Sequence, residues 1–121
     1  MEVILDTSFI LSCMRKRIDF LSQLEEQGFM VKIPKEVIQE LKDLHSRSKT
    51  SEEDRICIKT IFDIFEKRKI KKTTLGTRNV DGGLIKKGKE GVYIATLDQF
   101  IKRNIPKKIV IFNAKNAVGV E

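Results

Sequence analysis

Two aspartates stand where a buried strand should end. "VILD" closes on Asp6 and "VYIATLD" closes on Asp98, so each carboxylate follows directly on an apolar, β-rich run. In a parallel sheet both would emerge at the same edge, and on neighbouring strands they would face each other. Like charges so placed repel unless a cation lies between them, and an oxygen-rich cluster of this sort selects a hard divalent ion such as Mg²⁺ or Mn²⁺. A second reading stands beside this one: each Asp simply caps the helix that follows it.

Two further carboxylates belong with them. In "KEVIQELKDLH", at about 100° per residue, Val37, Ile38, Leu41 and Leu44 span an apolar arc, Glu36, Gln39 and Asp43 fall opposite, and Glu40 sits at the margin. Glu40 either reaches solvent over the apolar rim or leans over the strand ends towards Asp6. Asp81, in "NVDGGLIKK", lies near a helix start, where free backbone N–H groups favour a carboxylate. Gly82 and Gly83 weaken the helix they should begin, and serve a close approach or only a turn.

Other reactive side chains offer less. His45 is the single histidine, which argues against imidazole-based acid–base chemistry, and its place near a helix end suits a partly buried structural or C-terminal role. Tyr93 lies within a strand and reads as core. Cys13 and Cys57 stand far apart with no CxxC pattern, so reduced buried thiols are expected and neither a disulfide framework nor a zinc site. The net charge is +7, clustered in "RKR" (Arg15, Lys16, Arg17), "KRKIKK", "KKGK" (with Lys86 and Lys87) and "KRNIPKK" (with Lys102 and Arg103). That excess suits a polyanion partner, and equally a Lys-rich surface that serves solubility or heat adaptation.

Alternating elements must position these groups. Residues 2–5 read as a strand; "MRKRIDFLSQLEEQGF" reads as one helical stretch with Ile18, Leu21 and Leu24 inward and Gly28 as its stop; "FMVKIP" reads as a second strand. Pro34 opens the helix that bears Glu40, and Ser and Thr caps open a long helix over "EEDRICIKTIFDIFEKR". A short strand or loop follows near "IKKTTLG", then a helix at "VDGGLIKKGK", a strand at "GVYIATLD", a short helix at "QFIKRNI" and a last strand at "KIVIFN". Strands alternating with helices predict an α/β fold, a central mainly parallel sheet with helices on both faces, in one domain spanning residues 1–121. No run is long enough to span a membrane and the start lacks a signal-peptide pattern, so a cytosolic protein is expected.

In this order and spacing, "ILDTSFIL", "IPKEVIQELKDL", "NVDGGLI" and "VYIATLDQFIKR" resemble the successive motifs of PIN domains, small metal-dependent ribonucleases. The last motif is similar to that of archaeal and eukaryotic PIN proteins related to small-subunit rRNA processing; the toxin nucleases of toxin and antitoxin pairs are the other subgroup. The resemblance implies that Asp6, Glu40, Asp81 and Asp98 hold one or two Mg²⁺ or Mn²⁺ ions for catalysis, with Ser8 and Thr96 supporting them. It implies RNA as the partner, its backbone held by Arg15, Lys16, Arg17, Lys86, Lys87, Lys102 and Arg103. A homodimer is common in the family, and a protein partner would be a ribosome-assembly factor or an antitoxin. Many members carry a further acid just after the third motif's Asp, where this chain has Gly82. That departure keeps a second reading open, a PIN-like module that binds RNA or protein without cutting. A phosphate-handling receiver fits less well, since the early strand supplies one Asp and the late strand ends in Asn113 rather than Lys.

Overall fold

The apolar run Glu2–Leu5 forms β1, and every other strand is placed by reference to it. The computed structural model describes all 121 residues. After β1 come α1 (Thr7–Arg15), α2 (Phe20–Glu26), β2 (Met30–Pro34), α3 (Lys35–Ser46) and α4 (Glu52–Arg68). The second half adds β3 (Lys71–Thr73), α5 (Val80–Lys89), β4 (Tyr93–Ala95), α6 (Gln99–Arg103), β5 (Lys108–Phe112) and β6 (Ala117–Val120). The sheet order is β3-β2-β1-β4-β5-β6, parallel throughout except for β6, which runs antiparallel to β5. Chain direction diverges at β1: the strand that follows it lies on one side, and β4 on the other. That boundary is the switch point where ligands of open α/β sheets bind, beyond the carboxyl ends of the strands.

The pleat divides the core. Val3 and Leu5 point into a large cluster of 22 buried residues with Phe9, Leu21, Leu24, Val37, Leu41, Ile58 and Ile61 from α1 to α4. Ile4 points the other way, into a cluster of six with Leu75, Ile94, Leu84 from α5, Ile101 from α6 and Ile105 just beyond it. Helices therefore cover both faces, as the alternation of elements predicts. Gly83 shows how closely α5 is drawn in, because a Cβ there would lie 2.8 Å from Leu75 Cβ, and Gly88 leaves room for Ile105 in the same way.

Three local readings are corrected. The stretch from Met14 to Phe29 is not one helix: α1 ends where Ile18 N–H bonds the Cys13 carbonyl (2.9 Å) and Arg17 N–H bonds that of Met14 (3.1 Å). Arg17 takes the left-handed conformation at φ 56°, a position usually left to glycine, and Asp19 then caps α2. β5 is not the last strand, since "AVGV" turns back through a left-handed Asn116 to form β6. His45 lies in the last turn of α3 but is exposed rather than partly buried. Cys13 and Cys57 are buried and unpaired, as the sequence suggests, and burial pushes the Cys13 thiol up to about 12. Tyr93 packs its edge on Phe29 with ring centroids 4.9 Å apart.

Candidate active site

β1 and β4 deliver their last residues side by side, with Leu5 opposite Ala95 in the ladder and Asp6 N–H bonding the Ala95 carbonyl at 2.9 Å. Asp6 and Thr96 therefore meet just past the strands, and both are buried, Asp6 at 7% exposure and Thr96 at 0%. The Thr96 hydroxyl donates to Asp6 Oδ2 at 2.7 Å, and Ser8 Oγ approaches the same oxygen at 3.4 Å. Asp6 Oδ1 accepts from Thr7 N–H at 2.8 Å, so Asp6 does cap α1. The capping and site readings of Asp6 coexist, each carried by a different oxygen. Ser8 and Thr96 extend the arrangement by accepting from the backbone N–H groups of Leu97 (3.2 Å) and Asp98 (3.1 Å).

Glu40 enters from α3. Its half-buried side chain accepts at Oε1 from the Thr7 hydroxyl at 2.7 Å, which fixes it over the strand ends while Oε2 keeps no hydrogen-bond partner. The Thr7 contact is the feature that sequence reasoning missed. Its signal was "DTS": two hydroxyls in succession on a helix's first turn point about 100° apart, so one turns back to Asp6 and the other aside to a neighbouring element. Glu36, read as solvent-facing, instead fastens the loop before α5 by accepting from Thr74 Oγ1 and Leu75 N–H, both at 3.0 Å.

Buried Asp6 and half-buried Glu40 are held against their own charge. Desolvation raises Asp6 above the ordinary carboxylate range, and the charge of Asp81 adds to it, while the bonds from Thr96, Thr7 and Ser8 oppose it. Glu40 is raised by desolvation and by the charges of Asp6 and Asp81, against the Thr7 bond and Arg47. Asp6, Glu40 and Asp81 thus act on one another electrostatically. Asp81 itself is exposed in the first turn of α5, where the capping role is taken by Asn79, whose side chain accepts from Gly82 N–H at 3.0 Å. Asp98 is half-buried and caps α6, its Oδ1 accepting from Ile101 N–H at 3.0 Å. No three acids stand close enough to form a ready metal cluster. The donor set nonetheless fits a hard divalent ion: every group is a carboxylate or hydroxyl oxygen, and the buried ones carry repulsion that a cation would relieve.

The basic residues are spread more widely. Arg15 forms a two-pronged pair with Asp54, both contacts at 2.7 Å, and Lys16 bonds the Asn113 side chain just beyond β5. Arg17 is exposed beside the cavity of about 390 Å³ between α1, α2 and α4. Lys86 and Lys87 occupy the last turn of α5, which carries them about 8–9 Å along the axis from Asp81. The charge of Lys87 acts on Glu2, at the opposite end of β1 from Asp6. Lys102 and Arg103 close α6, where they complement its dipole.

Comparison with known proteins bears on the fold. A family profile described as PIN domain matches residues 3–115. Among solved structures, that of the PIN domain endonuclease Utp24 is similar with a TM-score of 0.73, covering 99% of this chain and 90% of that one at 21% identity. No curated protein sequence matches.

Proposed function

The chain belongs to the PIN domain family, and from that premise we propose that it is a divalent-metal-dependent endoribonuclease hydrolysing RNA phosphodiester bonds. PIN domains are in general nucleases. The observation that carries the proposal is a pair of destabilised carboxylates at the β1/β4 switch point, buried Asp6 gripped by Thr96 and half-buried Glu40, from α3, by Thr7. Two acids held against desolvation and each other's charge are the kind of pair that a divalent counterion relieves. Asp6, Glu40, Asp81 and Asp98 would hold Mg²⁺ or Mn²⁺. When bound, the ion would supply neutralising charge at the phosphodiester and make a water molecule more acidic. Thr96 and Ser8 fix Asp6 Oδ2, Thr7 fixes Glu40 Oε1, and the remaining oxygen of Glu40 faces its task free of other bonds. Precursor rRNA is the substrate class favoured by the resemblance of "ATLDQFIKRNI", with a toxin-type ribonuclease as the alternative role.

Incubation of end-labelled RNA with the protein tests this. Cleavage should require Mg²⁺ or Mn²⁺, stop with EDTA, and be lost in Asp6→Asn and Asp98→Asn. Cleavage that survives in both variants would overturn the assignment of the site. A second reading is favoured by Gly82, where the family pattern that the sequence resembles often has a further acid: a module that binds RNA or protein without cutting. RNA retention with no cleavage in either metal would select it.

A further inference from the structure

The exposed side chain of Asp81 takes no part in capping α5, so its place depends on the loop that brings α5 to the sheet. That loop is tied to α3. Strand register prepares the tie, because β2 and β3 pair in parallel with Pro34 opposite Thr73, and the chain leaves both strands at the same level. Thr74 therefore arrives beside the first turn of α3. Half-buried Glu36 receives the loop there with both oxygens, Oε2 accepting from Thr74 Oγ1 and Oε1 from Leu75 N–H, each at 3.0 Å. Desolvation pushes the Glu36 carboxyl up, but bonds from the Leu75 and Glu36 backbone, the Thr74 hydroxyl and Gly76 N–H outweigh it and hold the group below the ordinary range. The ties then run on towards Asp81: Thr74 Oγ1 accepts from Gly76 N–H at 3.2 Å, Thr77 Oγ1 from Asn79 N–H at 3.2 Å, and Asn79 Oδ1 from Gly82 N–H at 3.0 Å. Packing follows the same route. Leu75 lies in the smaller core with Leu84, and a Cβ on Gly83 would stand 2.8 Å from Leu75 Cβ and 3.0 Å from Thr77 Cγ2, so the first turn of α5 moves only with this loop. Glu36 and Glu40 stand four residues apart on one face of α3, where a single turn both fastens the loop and carries an acid of the site.

We propose that Glu36 is the positioning residue for Asp81, fastening the loop between β3 and α5 to α3 so that Asp81 is presented to the same ion as Glu40. This rests on the nuclease reading for the role of Asp81. It goes further in naming what sets the reach between the acid on α5 and the acids at the β1/β4 switch point. Glu36 touches neither metal nor substrate in this account, and acts only through the loop.

The test begins without RNA, by titrating Mn²⁺ against thermal stability to obtain a binding midpoint. Glu36→Ala should raise that midpoint about threefold to tenfold. In cleavage assays the Mn²⁺ concentration for half-maximal rate should rise by the same factor, while the rate at saturating Mn²⁺ stays near that of the parent. Glu36→Gln should restore the midpoint, since its carbonyl oxygen can still accept from Leu75 N–H and its amide can donate to Thr74 Oγ1. Asp81→Asn should raise the midpoint as well, and Glu36→Ala added to Asp81→Asn should raise it no further, because both act through one carboxylate. In the metal-free protein, amide exchange at Leu75, Gly82 and Gly83 should quicken in Glu36→Ala while that at Val3, Ile4 and Leu5 holds. Quickened exchange with an unmoved Mn²⁺ midpoint, or midpoint shifts from Glu36→Ala and Asp81→Asn that add, would overturn the positioning role and leave the nuclease reading intact. The expected midpoint shifts in a protein that binds Mn²⁺ and never cleaves RNA would support the positioning role and overturn the nuclease reading.

Discussion

The four acids fall into two halves that are built differently. Asp6 and Glu40 are buried or half-buried, each gripped by a hydroxyl from another element, and both are pushed towards the protonated form by desolvation. Asp81 and Asp98 sit at the starts of α5 and α6, one exposed and one serving as a cap, on the face with the smaller core of six residues. The first half is preorganised at a cost in stability. The second half is less constrained, with the exposed Gly82 next to Asp81. A site so divided concentrates electrostatic strain where the scaffold is strongest and leaves the more adjustable carboxylates where rearrangement is easy.

The sharpest test is Asp6→Asn. Cleavage should fall by about a thousandfold or more, since a contribution of several kcal/mol to the transition state is at stake, while the metal-free protein should melt a few degrees higher. A lower melting temperature would break the comparison, because Asp6 would then be an ordinary satisfied cap. Thr96→Val comes next. It removes the donor to Asp6 and the acceptor of Asp98 N–H, so stability should drop by about 1–3 kcal/mol and activity by about tenfold to a hundredfold, read by thermal melting and single-turnover cleavage. Asp81→Asn should lower activity mainly by raising the metal concentration needed, with the metal-free melting temperature almost unchanged; a large stability change would place Asp81 in the strained half.

The pH dependence sharpens the same contrast. Glu40 has a raised pKa in the folded state, so its contribution to metal-free stability is fully present below the ordinary carboxylate pKa and is lost as pH rises through the raised value. Glu40→Gln should therefore gain melting temperature over the parent as pH climbs from about 4 towards neutrality, and the difference should then level off. A gain independent of pH would assign it to packing rather than charge. The smallest effect is expected from Gly82→Asp, which adds an acid on the exposed side. Its Cβ would stand 3.1 Å from the Asn79 side chain, an adjustment a flexible amide can make, and the metal concentration for half-maximal cleavage should fall a few-fold.

Much of this was legible in the sequence because it follows from periodicity and burial. β1 and β4 announce themselves as apolar runs, and Asp6 does follow β1 directly, whereas β4 ends at Ala95, so that Thr96 rather than Asp98 stands beside Asp6; the arc on α3 already placed Glu40 at its margin. The break between α1 and α2 was hidden because Arg17, not glycine, takes the left-handed turn, and Ile18 keeps the helical spacing with Leu21 while serving as the buried residue that seals the end of α1. β6 was hidden because four residues at a sheet edge carry too little alternation to read. In the site, residue types gave the oxygen donors, but the hydroxyl that holds Glu40 comes from 33 positions away, and no local pattern specifies such a pair. Charge clusters revealed the amount of basic surface and not its direction, which is set by the way α5 carries Lys87 towards Glu2.

The ladder between β1 and β4 has a consequence for timing. Thr7 and Glu40 belong to the first third of the chain, whereas the Asp6 carboxylate waits for a hydroxyl 90 residues further on. Closing so long a loop is entropically opposed, and it follows synthesis of nearly everything between. A nascent or partly unfolded chain carries Asp6 and Glu40 but no competent centre. The pairing of β4 beside β1 is therefore what brings the Thr96 hydroxyl to Asp6 and completes this cluster of oxygens.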